Sequence, residues 1–546
     1  MLRRLVSSPS LRLVPFLLAA GWPAPARAQR VVRGPARAEA TAGSALEAHA
    51  LARQLDAATA FQPVGARALA ARELRALLAG AAHPWAGRLA PDDSGAAGAT
   101  IYLLRPSVGT VVNSSFPFGS NDGALWAGRG ITAYASAGAL LVAGPLTVRV
   151  EPLVFRAQND AFRLFEDPRA PAEDRLREPL EPRNVDLPQR FGTRPYQRVD
   201  LGNSEVRLAG RGAAAGVSNA LESWGPAVDH PLILGTNAPG FVHAFVGTDG
   251  PVPIGIGRLH GRVIVGRLEQ SALSSTPDSL ATRLASGIVA TFVPRWLPNV
   301  ELGGTRFFHR RWRAGDVPGA FRVPFEGLLF KERNLDVDDT SSTRFLPDNQ
   351  IASAFVRWRL PRAGAEVYAE YARNDASFDP RELLTEPDHA SAYLLGLRKS
   401  VARRADRLLV ASGELVNART THLDRIRPQA RFYQHGFLTQ GHTQRGQVLG
   451  SVAVMGGGGV TLRLDDFTPR GRDQLALERI VRLSPVGEGA PSDTDVDVMH
   501  SLRAARTRFR GPLDLTVGAT LTWERQRDFR ADAFNARVDA AARLAW

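Results

Sequence analysis

Phe534-Asn535-Ala536-Arg537-Val538-Asp539-Ala540-Ala541-Ala542-Arg543-Leu544-Ala545-Trp546, the carboxy-terminal stretch, alternates strictly. Phe534, Ala536, Val538, Ala540, Ala542, Leu544 and Trp546 make an apolar row. Asn535, Arg537, Asp539, Ala541, Arg543 and Ala545 make a polar or small one. A period of two puts the rows on opposite faces of a strand. About 9–11 tilted residues suffice for a strand to cross a bilayer, and an apolar-out, polar-in strand is the repeat unit of an outer-membrane β-barrel. Val538 and Leu544 are therefore expected to face lipid, and Arg537, Asp539 and Arg543 the lumen. The terminal aromatic, Trp546, is similar to the signal read by bacterial barrel-assembly machinery, which is an expected partner during insertion. An edge strand of a soluble sandwich is the competing reading.

The other end of the chain favours the barrel. Arg3, Arg4 and Arg12 flank a short apolar core, Leu13 to Trp22, and Ala26-Arg27-Ala28 fits a small-x-small cleavage site,. Residues 1–28 read as a signal peptide whose core is too short for a membrane helix. An exported chain with amphipathic strands is expected in the outer membrane, among outer-membrane lipid and lipopolysaccharide.

Composition narrows the chemistry. The chain has 546 residues, 44% hydrophobic and 22% charged, with no cysteine, so it is globular and has no disulfide, thiolate metal site or cysteine nucleophile. Cleavage takes four arginines, Arg3, Arg4, Arg12 and Arg27, from the formal +14 and leaves +10. Lys331 and Lys399 are the only lysines. The arginines are scattered rather than clustered and the chain is exported, so no nucleic acid partner is expected. An acidic polysaccharide or a lipopolysaccharide phosphate suits the charge better.

Along the chain, residues 29–95 read as a periplasmic helical region. Ser44-Ala45-Leu46-Glu47 fits a capping box in which Glu47 reaches back to the Ser44 amide, and a helix should run to about Ala58,. A second helix is expected from about Ala66 to Ala79, stopped at Gly80. The pair should pack together at the periplasmic mouth. Residues 96–546 read as an all-β transmembrane antiparallel barrel of about 18 strands, within 16–20. Ile131–Val142 and Leu146–Phe155 flank a turn at Gly144-Pro145. In Leu513–Trp523, Thr516, Thr520 and Thr522 should face inward, and Arg357, Arg359, Glu366, Tyr368 and Glu370 sit in similarly alternating runs. Polar, proline-rich stretches at 157–205, 332–349 and 465–498 read as extracellular loops.

Three segments carry a resemblance. Asn121-Asp122-Gly123-Ala124-Leu125-Trp126-Ala127-Gly128-Arg129-Gly130 is the first. Trp224-Gly225-Pro226 with Leu232-Ile233-Leu234-Gly235-Thr236-Asn237 is the second. Tyr433-Gln434-His435 with Gly441-His442-Thr443-Gln444-Arg445-Gly446-Gln447-Val448-Leu449-Gly450 is the third. With the acidic-aromatic run Glu366 to Tyr371, and in this order, they resemble the Wzi-like capsule-assembly family. The resemblance implies an eighteen-strand outer-membrane barrel with a periplasmic helical bundle, a lectin that anchors capsular polysaccharide at the cell surface. It implies polysaccharide-binding roles for Trp126, Arg129, Trp224, Tyr433 and Arg445. The aromatics could stack on sugar rings or form the girdle at the membrane interface. The arginines could hold glycan carboxylates or phosphates, or pair with lumen acids such as Glu366 and Glu370.

Catalytic motifs are missing. There is no Gly-x-Ser-x-Gly elbow, His-Glu-x-x-His or Walker loop, so no enzyme, catalytic residue, cofactor or metal is expected. The run Gly456 to Gly459 reads as a bulge or a close backbone approach. His435 and His442 read as hydrogen-bonded lumen histidines. Asp336, Asp338 and Asp339, and Asp493, Asp495 and Asp497, lack the glycine and terminal glutamate of a calcium loop and read as solvated loop charge. An anion-preferring porin is the alternative to a polysaccharide anchor; a hydrolase has only the presence of Ser and His behind it.

Overall fold

The alternation of the last strand recurs around a closed antiparallel wall of eighteen strands in the computed structural model. The structure describes residues 30–32, 42–67, 83–86, 99–165, 174–178, 184–325, 348–375, 380–419, 431–483 and 496–544. The expected signal peptide, the expected second helix beyond residue 67, Asp336, Asp338, Asp339, Asp493, Asp495 and Trp546 lie outside them.

The strands are β1 (Thr100–Asn113), β2 (Gly130–Ala143), β3 (Leu146–Val150 and Leu153–Ala157), β4 (Tyr196–Asp200 and Glu205–Gly210), β5 (Ala213–Ser218) and β6 (His243–Thr248). Then come β7 (Gly257–Glu269), β8 (Thr282–Pro294), β9 (Val300–Arg311), β10 (Asp348–Leu360), β11 (Ala365–Asn374) and β12 (Ser391–Arg404). The wall ends with β13 (Arg407–Asn417), β14 (Gly457–Thr468), β15 (Gly471–Leu483), β16 (Val496–Arg510), β17 (Leu513–Arg527) and β18 (Ala531–Leu544). Each pairs with its neighbour, and β18 returns to β1 with Val538 opposite Val112. Short turns such as Gly144-Pro145 and Arg211-Gly212 gather at the rim that holds the chain ends, here the terminal rim. Arg211 and Gly212 both have positive φ, the hairpin conformation that matches strand twist,. Long connections gather at the opposite loop rim.

The facing expected from sequence holds at most positions. Val538, Val356, Trp358 and Val367 are exposed on the outer face, while Arg537, Thr520, Thr522, Arg357, Arg359, Glu366, Tyr368 and Glu370 are buried toward the lumen. Trp296 and Trp358 near the terminal rim, and Tyr393, Trp523 and Phe534 near the loop rim, form the outward aromatic belts,. One loop assignment fails. Residues 465–468 and 471–483 are not loop but the end of β14 and the whole of β15. Their charges read as loop composition, yet Asp465 faces the lumen while Leu475 and Leu477 face out. In the 157–205 stretch the connection closes at Tyr196, where β4 begins. Asp497 is a buried strand residue paired with Arg482, not solvated loop charge.

The lumen is filled by the chain itself. Helix α1 (Ala45–Arg53) is capped as its sequence suggests, with Ser44 Oγ accepting from the Glu47 N–H at 3.1 Å. Glu47 reaches back one residue further than expected, to the Gly43 N–H at 2.6 Å. The helix stops at Arg53 and lies inside the terminal mouth, where Ala52 and Leu55 pack on Trp85 and on the inward-facing Leu408, Val410 and Phe467. The chain then runs on to Ala66, which bridges to Trp224. Two further segments, 219–242 and 431–456, fold in from the loop rim.

Candidate functional site

The infolded segments are docked by the wall's inward charges. Glu301 on β9 accepts from the Val64 and Gly65 amides at 2.9 and 2.8 Å. Glu414 on β13 accepts from Val228, Asp229 and His230 at 2.7, 2.9 and 2.9 Å. Arg283 on β8 donates to the Thr443 carbonyl at 2.6 Å. Charge-assisted bonds of this kind are roughly twice as strong as neutral ones. Between the wall acids, Arg357 meets Glu301 at 3.2 Å and Glu366 at 2.7 Å, and Arg398 holds the other Glu366 oxygen at 2.5 Å. Part of the polar face of the barrel thus positions backbone.

Trp224 and Tyr433 lie at the centre of this filling, both 0% exposed. The Trp224 indole N–H donates to Glu222 at 3.1 Å. Burial alone would raise the Glu222 carboxyl, but Arg262, His243 and the Trp224 bond outweigh it and hold the group at about 2. The Tyr433 hydroxyl donates to the Leu232 carbonyl at 2.6 Å, and its ring stacks on His442, centroids 4.9 Å apart. These two residues therefore have neither the surface position nor the interface position weighed from sequence; Tyr433 pins the third infolded segment to the second, and Trp224 joins the second to the amino-terminal arm at Ala66. Leu232, Ile233 and Leu234 surround them as the core. Such an unalternating apolar run, beside Gly-Pro, is too apolar for a solvated loop, and that was the available signal. Gly457 has the close backbone approach expected of its glycine run, since a Cβ there would meet the Val481 carbonyl oxygen.

Trp126, Arg129 and Arg445 lie instead at the loop rim. Trp126 meets Phe191 and Tyr196 edge-on at 5.0 and 5.8 Å, and Phe191 stacks on Tyr196 at 4.7 Å. Arg198 caps the cluster, donating to the Tyr196 hydroxyl at 2.6 Å. All four side chains are part-exposed. Arg129 donates to the carbonyls of Ser114 and Ala161, so its positive charge has no carboxylate partner among the described residues. Arg445-Gly446 is the turn of a small hairpin, with φ of 49 and 80°. A Cβ on Gly446 would lie 2.9 Å from Phe191, which seats the turn against the same aromatic cluster. Arg445 reaches Glu269 at 2.6 Å and Asp200 at 3.3 Å, rather than Glu366 or Glu370. The structure thus brings Trp126 and Arg445 to one side of the loop rim through Phe191. Phe191, Tyr196 and Arg198 carry no motif and escaped the sequence reading.

Part-exposed aromatic faces beside guanidinium groups offer apolar contact to sugar rings and planar donors to their acidic groups. The His442 Nε2–H donates to the Ile233 carbonyl, 2.6 Å away, and burial lowers the imidazole to about 4, with Arg283 adding to the shift. No cluster of metal-ligating side chains occurs among the described residues. Beside the filling, a cavity of about 280 Å³ remains, where Arg398, Arg463 and Arg472 stand with Glu47, Asp229 and Asp465.

No protein-family model and no curated protein matches this chain. Among solved structures, Wzi, an outer-membrane protein involved in group 1 capsule assembly in Escherichia coli and a carbohydrate-binding β-barrel, matches 93% of this chain and 99% of its own, with a TM-score of 0.60 and 13% identity. OccK5 (OpdH) of Pseudomonas aeruginosa covers 81% of this chain and 98% of its own at a TM-score of 0.39 and 10% identity. At 13% identity the likeness to Wzi is one of fold.

Proposed function

We propose that this barrel resides in the outer membrane after signal-peptide export and holds a surface polysaccharide at its loop rim, as a binding protein without a catalytic step. The observation that carries the reading is a bore filled by its own chain at Trp224 and Tyr433 beneath a rim that presents aromatic and arginine side chains. A filled bore suits an anchor. The Wzi likeness supports the same direction, since that barrel binds carbohydrate. Trp126, Arg129 and Arg445 are the proposed contacts, joined by Tyr196 and Arg198. Individual contacts of this kind are weak, so retention would rest on many along one polymer.

The test is Trp126→Ala with Tyr196→Ala in the producing cell. Surface polysaccharide should pass into the medium while the amount of folded barrel stays unchanged. Polysaccharide that remains attached would defeat the reading. The porin alternative has one observation behind it, the side cavity. Its balanced charges give no reason for anion preference. Planar-bilayer recording separates the two: steady ohmic conductance from the parent protein favours the channel.

A further inference from the structure

A second recess at the loop rim lies apart from the Trp126 cluster, where the β17–β18 turn meets the chain leaving β1 and the segment after β3. It encloses about 150 Å³. Phe116 is its buried floor, and Phe162 and Phe165 are part-exposed walls. The Arg527 guanidinium stands 4.6 Å over Phe116 and 5.7 Å from Phe162, and Arg530 stands 4.0 Å over Phe165. Arg163 is exposed at the mouth, and its carbonyl accepts from Arg527 at 3.4 Å. Arg527 pairs with Asp528 at 2.9 Å and Glu524 at 3.3 Å and builds the recess. Arg163 and Arg530 are the exposed guanidinium groups around it.

The backbone is shaped to make this recess. The β17–β18 ladder breaks register between Glu524 and Arg527, and Gln526, Asp528 and Phe529 take φ of 53, 54 and 61°. Left-handed backbone at three non-glycine residues is disfavoured and persists only where the surroundings impose it, as at ligand clamps. A bulge at a rim re-aims side chains, here placing Arg527 over Phe116. The volume is well below the ~300–1,000 Å³ of pockets that enclose a free small molecule. It suits one ring of a polymer.

We propose that this recess takes a single carboxylated sugar, a uronate, of the polysaccharide held at the rim; the inference rests on the anchoring reading above. The phenylalanine faces would receive the apolar face of the pyranose, and the forks of Arg163 and Arg530 its carboxylate.

The test uses the full barrel in detergent micelles and calorimetric titration with hexagalacturonate and with neutral maltohexaose. The parent should bind hexagalacturonate more tightly. Arg163→Ala with Arg530→Ala should weaken that binding by about tenfold or more and leave maltohexaose unchanged; Phe165→Ala should weaken both. Heat-modifiable migration confirms that the variants fold. Full binding by the double arginine variant overturns the recess while leaving polysaccharide retention standing. A parent that binds neither oligosaccharide overturns the recess and the anchoring reading together. Displacement of hexagalacturonate by phosphate-bearing lipopolysaccharide, with loss of lipopolysaccharide binding in the double variant exceeding that for hexagalacturonate, makes the occupant a neighbouring lipid headgroup and overturns the uronate assignment.

Discussion

The interior and the loop rim use the same residue types to opposite ends. In the bore, Trp224 and Tyr433 are enclosed, and Arg357 and Arg398 are consumed by Glu301 and Glu366. At the rim, Trp126 and Tyr196 keep part of their rings open, and Arg129 donates to the carbonyls of Ser114 and Ala161. An aromatic beside an arginine is therefore a fastener where the donors of both are taken up within the chain, and a reading surface where some are left to solvent.

Removing charge should separate the regions most sharply. Arg357→Ala leaves Glu301 and Glu366 as buried carboxylates short of a partner and should cost about 3–5 kcal/mol. Arg129→Ala at the rim should stay within about 0.5 kcal/mol. Thermal loss of the heat-modifiable gel band reads both, and equal shifts would erase the distinction. Next in size is a contrast across the wall. Val538→Arg places a charge against lipid at a cost of about 2–4 kcal/mol if near the midplane. Asp539→Arg, on the opposite face, should impair refolding yield far less; matching yields would break the assignment of faces.

Acid should loosen the bore and spare the rim. His442 is held near 4 when folded, against 6.5 as its ordinary value. The folded state thus favours neutral imidazole. Its stabilising contribution is full above about 6.5, begins to fall as the pH drops through that value, and is lost by about 4. Tryptophan fluorescence should report this loosening, and His442→Gln should flatten the response over that window; an unaltered response would remove His442 from the account. The smallest effect belongs to Arg445→Ala. Its half-exposed pair with Glu269 is worth about 0–1 kcal/mol, so chemical denaturation should barely register it. A large loss would move Arg445 from rim to fastener.

The wall was legible from sequence and its contents were not. Alternation reports the outer face directly, because lipid demands an apolar row, and Leu513, Leu515 and Val517 read as well as Val538. The inner face demands only polarity, which loops share, and so 465–483 was mistaken for an insertion. Which segments fill a lumen is a long-range matter: Trp224 is enclosed by residues such as Phe307 and Ala66, remote in sequence. Of the five residues proposed from motifs, three stand at the rim, while Trp224 and Tyr433 owe their motifs to packing.

The closing register between β1 and β18 limits the ways in which the bore can be filled. Segments 219–242 and 431–456 are tethered at both ends to wall strands, between β5 and β6 and between β13 and β14. A cylinder that sealed first would have to admit them later through its loop mouth, as folded-back chain carrying bulky groups. Gathering them on the concave side of a still-open sheet avoids that passage. The amino-terminal arm leads into the wall at β1, and Arg30–Val32 lies parallel to Thr100–Tyr102 beside the seam. It sits in the terminal mouth as a cork sits among staves.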